Sequence, residues 1–237
     1  MSKELDAQAI ALEFQKRSPW VTKFVIQGHE YGGQYDPLND RRIDFFFRSF
    51  PQTQAVLELA ALEGGHSFVL APRVRKVVAL EGRRRNLAKA RFVQECLGVK
   101  NVEFIKANLE RVRLADYGQF DAVLCIGILY HLPRPWKLLD QIAQVSRNVL
   151  IWTHYVTEEK ATESVHGLSG CMISEGGYLN IFTPTSPLSG LSRWSFWPSR
   201  PSLIEMIRRS GFATVKVLED EPNHQDGPAM SVAAIAP

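Results

Sequence analysis

The sequence predicts an α/β fold, a mostly parallel sheet with helices on both faces. Short apolar runs alternate with amphipathic stretches from Ala55 to Thr153. These runs are bounded by Gly, Pro and polar residues, the punctuation expected between strands and helices. The chain has 237 residues, 45% hydrophobic and 22% charged, enough to bury one sizeable core.

Taken in order, Lys3 to Lys16 reads as a helix, because Leu5, Ile10, Leu12 and Phe14 recur near helical spacing. Gln27 to Tyr35 reads as a polar, glycine-bearing loop. Asp36-Pro37 opens a second helix over Leu38 to Phe50, stopped at Pro51, so residues 1–50 read as an N-terminal helical extension or cap on a body formed by residues 51–237. In that body Ala55 to Leu59, Val77 to Leu80, Val102 to Ile105, Phe120 to Ile126 and Asn148 to Thr153 read as strands. Helices are expected at Asn86 to Leu97 and Pro135 to Val145. Residues 158–197 are rich in Gly, Ser, Thr and aromatics and show no period, so they read as an insertion over the active site. Pro201 to Ser210 is a helix stopped by Gly211, and Ala213 to Leu218 with Met230 to Ile235 form a closing antiparallel hairpin at the sheet edge.

Bulk properties narrow the function. A net charge of +3 and a pI near 8.8 fall short of a nucleic-acid-binding signature. Cys96, Cys125 and Cys171 are odd in number and far apart, which argues against a disulfide framework or zinc site and fits the reducing cytoplasm. Glu4, Asp6 and Glu13 break the N-terminal stretch, so no signal peptide is read there, and no apolar run nears the ~18 residues of a membrane span.

The first strand of the body runs into Glu58-Leu-Ala60-Ala-Leu-Glu-Gly64-Gly65, a small-residue loop that lets backbone approach a ligand closely. The second strand ends in Glu81-Gly82, and a carboxylate at that tip accepts hydrogen bonds from two ribose hydroxyls at once. Glu58 and Glu81 lie close to the ~20 residues apart expected of such a unit. A nicotinamide-binding chain would show GxGxxG, which no segment supplies.

With Phe120-Asp-Ala-Val-Leu-Cys-Ile-Gly-Ile-Leu-Tyr-His-Leu132 as a third motif, the sequence resembles the class I S-adenosylmethionine methyltransferases over about residues 50–237. That resemblance implies a Rossmann-like seven-stranded sheet with an antiparallel last strand, and S-adenosylmethionine as cofactor. By it, Glu58 anchors the loop near the methionine amine, and Gly64 and Gly65 permit close approach. Glu81 holds the ribose, Asn108 meets the adenine, Ala60, Gly82 and Leu109 are further cofactor-binding residues, and Cys125 to Gly127 offer backbone carbonyls to the methionine ammonium. Ala60 departs from the pattern by standing in place of its first glycine.

The acceptor side is less explicit. His131, His154 and His224 follow strands or lie between them at the ligand-binding end of the sheet. His131 is expected to take a proton from an acceptor hydroxyl, with His154 in reserve, since imidazole titrates near neutral pH. His131, His154, His166 and His224 show no HxxxH or HxH spacing, so no metal is expected. Tyr178, Phe182, Trp194, Phe196 and Trp197 could line an apolar pocket or pack a lid, and Tyr31 and Tyr35 could close over the cofactor.

Methyl transfer to a small molecule, at a hydroxyl, is the expected activity. Two alternatives stand beside it. Ile128 to His131 and Phe196 to Phe212 resemble the tRNA wobble-uridine carboxymethyltransferases, and Arg73, Arg75, Lys76, Arg83, Arg84 and Arg85 could touch phosphates. The other is a non-catalytic cofactor-binding module, to which only Ala60 points.

Overall fold

The computed structural model describes residues 6–174 and 186–237. Its centre is a seven-stranded sheet. The strands are β3 (Ala55–Leu59), β4 (Lys76–Glu81), β5 (Val102–Lys106), β6 (Ala122–Ile126), β7 (Asn148–His154), β11 (Thr214–Glu221) and β12 (Ala229–Ile235), in the order β11-β12-β7-β6-β3-β4-β5. The ladders from β7 to β5 are parallel, whereas β12 runs antiparallel to both its neighbours. β6 is Ala-Val-Leu-Cys-Ile and buried throughout, as a strand covered on both faces must be.

Helix α5 (Pro135–Val145) covers one face and α4 (Arg84–Leu97) the other. Leu139 and Ile142 join the first core, with Leu203 and Ile207 of α6 (Arg200–Arg209). Leu87 and Ala90 join the second, with Ile43 and Phe46 of α2 (Arg41–Ser49). The chain leaves β3 for β4 and β5, then returns to β6 on its other side. Such a reversal opens a crevice at the carboxyl ends of the strands.

Sequence and structure differ in two stretches. Around the start of the polar segment before Tyr35 the chain forms a hairpin, β1 (Lys23–Ile26) and β2 (His29–Gly32). Its turn, Gln27-Gly28, takes φ of 52° and 80°, the pair that a two-residue hairpin turn requires and that Asn-Gly usually supplies. The helix expected from Leu38 starts at Arg41, after a short 3-10 turn, because the Asp40 carboxylate accepts the amide of Arg42 (2.9 Å) and caps it there. In the stretch without period, β8 (Glu163–Val165), β9 (Leu168–Ser174) and β10 (Trp194–Pro198) form an antiparallel sheet, turning at His166-Gly167 with φ of 55° and 69°.

Helix α1 (Ala7–Lys16) and the hairpin pack onto α4 through Phe14, Phe24, Ile26, Phe92 and Val93. A buried ion pair clamps this cap. Lys89 Nζ lies 2.6 Å from Glu63 Oε1 and also donates to the carbonyl of Pro19. Glu63 Oε2 accepts the amides of Val21 (3.0 Å) and Thr22 (2.8 Å). Removing one partner of such a pair strands a charge in a dry interior. Lys89→Met is therefore expected to cost about 3–5 kcal/mol, read as a lower urea midpoint. Adding Glu63→Gln, which removes the stranded charge and keeps an acceptor for the two amides, should recover part of the loss.

Candidate active site

A cavity of about 530 Å³ opens at the carboxyl ends of the strands. Towards β4 and β5 it is walled by Ala60, Glu81, Gly82, Ala107, Asn108 and Leu109. Towards β7 and β11 it is walled by Tyr130, His131, Trp152, Glu219, Glu221 and His224. Tyr35, Asp40, Arg42 and His66 lie on the same wall, and Val21 and Thr22 of the clamped cap complete it.

Glu81 is the tip of β4. Its Oε2 accepts the amide of Leu62 (2.9 Å) and its Oε1 that of Arg83 (2.7 Å), so one carboxylate fixes the loops after both β3 and β4. Burial raises its pKa to about 6, against those two amide bonds. The remaining lone pairs suit a vicinal diol. Asn108 Oδ1 accepts the amide of Glu110 (3.0 Å), which orients its carboxamide beside the apolar Leu109. This donor and acceptor set, on a partly apolar wall, fits an adenosine.

The loop after β3 explains the departure at Ala60. Ala60 has φ of 60° and Leu62 of 54°, left-handed conformations that glycine adopts freely and side chains resist. Alanine therefore follows the path a glycine would take, under strain. Gly65 lines the wall, where a Cβ would come within 2.8 Å of Thr22 Cγ2.

Four of the residues singled out in the sequence stand behind the wall. Glu58 is buried beneath it and accepts a hydrogen bond from Ser67, with burial pushing its pKa to about 8. Gly64 caps α3 (Gly65–Leu70) at φ of 84°, against the Phe104 ring. Cys125 lies inside β6, its thiol pushed up by burial, so the wall begins at Ile126 and Gly127. His154 is 2% exposed; its Nδ1 bonds to the carbonyl of Gly227 (3.0 Å), and its ring stacks on Trp197 (5.0 Å between centroids). Burial lowers its pKa to about 4, so it stays neutral and props Tyr130 from behind.

A cluster of which the sequence singled out only Tyr35 lies on the wall instead. His66 Nε2 sits 2.8 Å from Asp40 Oδ2 and 2.6 Å from the Tyr35 hydroxyl, which itself donates to Asp40. Arg42 chelates the same carboxylate and lies 4.7 Å from the Trp152 ring centroid. Burial works to raise the Asp40 pKa, but the bonds from His66 and Arg42 prevail and hold it well below the usual range. Burial lowers that of His66. Of the expected aromatics, Trp194 is half exposed, Phe196 and Trp197 are buried off the wall, and Tyr178 and Phe182 fall outside the described residues. Among the described residues, no three His, Cys, Asp or Glu side chains converge to hold a metal, and no helix is long and apolar enough to cross a membrane.

A parallel sheet with one reversed strand, whose cavity carries an acidic residue at the second strand tip, defines a nucleotide-cofactor enzyme of the methyltransferase type. A family model described as a methyltransferase domain matches residues 52–174. The structure superposes on the N-terminal domain of EvdMO1, crystallised with S-adenosylhomocysteine and D-fucose, at a TM-score of 0.86 and 34% identity, covering 100% of both chains. The tRNA U34 carboxymethyltransferase of Mannheimia succiniciproducens is 22% identical over 72% of this chain, which spans 48% of that protein; the chain thus spans about half the length of the curated relative. The chain belongs to the S-adenosylmethionine-dependent methyltransferases.

Two outcomes are expected. If Glu81 must be ionised to accept ribose hydroxyls, cofactor affinity should fall as pH drops through about 6 and level off above it; calorimetry across that range should find the dependence lost in Glu81→Gln. Ala60→Gly should relieve the left-handed strain, worth about 1–2 kcal/mol before glycine's own entropic cost. It should raise the melting temperature and leave cofactor binding equal or tighter.

Proposed function

We propose that the protein transfers a methyl group from S-adenosylmethionine to a hydroxyl oxygen of a small, polyhydroxylated acceptor of the sugar class. One observation carries this reading. The cavity continues beyond the cofactor's residues into a half where Trp152 and Tyr130 stand beside Glu219, Glu221, His224 and Asp226. Carboxylates accept hydrogen bonds from hydroxyls, and aromatic rings cover the apolar face of a sugar. The relative crystallised in the presence of D-fucose supports the same class.

Bound S-adenosylmethionine supplies an electrophilic methyl on a cationic sulfur. The protein's part is to hold the hydroxyl in line and to take its proton. His131 ends a short 3-10 turn (Leu129–His131) directly after β6 and lines the cavity beside Tyr130, with ring centroids 4.2 Å apart. In this reading the hydroxyl oxygen bonds to the methyl carbon, the carbon–sulfur bond breaks towards sulfur, and His131 accepts the hydroxyl proton. Glu219 and Glu221 hold neighbouring hydroxyls, and Arg41 steadies both carboxylates (2.6 and 3.3 Å).

A nucleic-acid acceptor is less well served. Much of the basic cluster is engaged within the fold. Arg73 lies over the Phe47 ring, Arg83 bonds to Ser189 and Gly190, Arg85 to the Ser18 carbonyl, and Lys76 pairs with Glu103. A carboxylated cofactor would want a cation of its own, and the Arg42 guanidinium is already matched to Asp40.

His131→Ala should lower turnover on a sugar acceptor by about two orders of magnitude or more, with S-adenosylhomocysteine affinity unchanged. His131→Asn, which orients a hydroxyl but takes no proton at neutral pH, should stay near the alanine rate. Near-normal turnover in both would remove His131 as the base. Methylation of bulk tRNA, with no turnover on any sugar, would overturn the acceptor class.

A further inference from the structure

Residues 187–191 cross the half of the cavity that Glu81 belongs to, and all five line it. Leu188 is 44% exposed and Leu191 47%, so little apolar burial holds them down. Polar bonds hold them instead. The Arg83 guanidinium donates to the Ser189 carbonyl (2.8 Å), the Ser189 hydroxyl (2.8 Å) and the Gly190 carbonyl (2.8 Å). Asn86 Nδ2 donates to the Pro187 carbonyl (3.1 Å). Just past the crossing, the Ser192 hydroxyl bonds to the Glu110 carboxylate (2.7 Å). A Cβ on Gly82 would come within 2.7 Å of Leu191 Cδ1, so the Leu191 side chain lies directly against the β4–α4 turn.

The two residues that hold this segment also meet Glu81. Its Oε1 accepts the amide of Arg83 (2.7 Å) and lies 3.4 Å from Asn86 Nδ2. Asn86 is 1% exposed, and its Oδ1 is buried with no hydrogen-bond partner among the described residues. Its donor bonds, to Glu81 and to Pro187, are what orient that amide.

We infer that residues 187–191 form a strap whose closure is coupled to occupation of Glu81, with Arg83 and Asn86 as the positioning residues that join them. The inference rests on the reading of Glu81 as the cofactor's ribose partner. A ligand gripping the carboxylate fixes the β4–α4 turn, and the turn carries both anchors of the strap. Coupling of this kind is reciprocal: a closed strap holds the cofactor in, and a bound cofactor holds the strap closed. A segment with few buried apolar contacts and several polar bonds belongs to the parts of a fold that open locally at low cost. Strap opening is then the step that admits S-adenosylmethionine and releases S-adenosylhomocysteine.

The experiment follows S-adenosylhomocysteine alone, with no acceptor present. Its dissociation rate is measured by stopped-flow displacement, its affinity by calorimetry, and amide exchange of residues 187–191 is compared with and without it. Arg83→Ala should speed dissociation at least tenfold and Ser192→Ala severalfold, while Ser192→Thr, which keeps the hydroxyl, returns towards the native rate. Exchange at the strap should slow when the native protein binds the ligand and stay unchanged in Glu81→Gln at the same occupancy. Native dissociation rates in the variants, or strap exchange indifferent to the ligand, would overturn the coupling. Should Arg83→Ala fail to fold, the Ser192 pair decides alone. Normal slowing of strap exchange in Glu81→Gln would remove Glu81 as the link and leave the cofactor reading standing. Absence of binding to the native protein would sink both.

Discussion

The buried ion pair between Lys89 and Glu63 makes the N-terminal segment part of the cavity wall. Each charge is comfortable only with the cap in place, because Pro19, Val21 and Thr22 supply the remaining hydrogen bonds. A buried charge that loses such partners is costly, so docking the cap and folding the body become a single event. Glu63 also follows the left-handed Leu62 and precedes the left-handed Gly64. The clamp thereby holds the strained loop after β3 against the ligand space, and local strain persists only where its surroundings over-determine it.

From that fixed loop the geometry spreads outward through Glu81. Its carboxylate ties the loop after β3 to the turn after β4, so the two walls of the crevice move as one piece. Burial of this carboxylate and of Glu58 beneath it raises both pKa values, so the folded protein binds their protons more tightly than the unfolded chain does. Their contribution to stability is fullest below the ordinary glutamate value and is lost as pH rises through the folded values. A cation held above them would offset that loss.

How much of this was legible depended on how far apart the interacting residues lie. The sheet was readable because a strand buried on both faces has to be apolar along its length, as Ala122 to Ile126 are. Helix Pro135–Val145 announced itself by its proline start and the helical spacing of Leu138, Ile142 and Val145. The hairpins at Gln27-Gly28 and His166-Gly167 were not visible, since neither turn carries the asparagine or aspartate that marks the type. Within the site, Glu81 falls on the cavity wall because strand tips face the crevice, and Asn108 was named only through the family resemblance. Lys89 could not, because a lysine on an amphipathic helix reads as solvated until its partner is found 26 residues away. The Asp40–His66 pair spans the same separation and joins the cap to the body, a contact that no local pattern encodes. His154 misled for the opposite reason: it ends a strand on the ligand side, yet Trp197 and Tyr130 cover it.

The cavity has one further consequence. Among the described residues, the Glu81 half and the His131 half share one continuous space of about 530 Å³. Two ligands that occupy it each lose translational freedom on binding, whereas a single molecule joining both pieces loses it once. Tethering a sugar to the sulfur of an adenosyl thioether would turn the second association into an intramolecular one. In the proposed reading, selectivity for the acceptor would then reside in the half where Trp152, Glu219 and His224 stand.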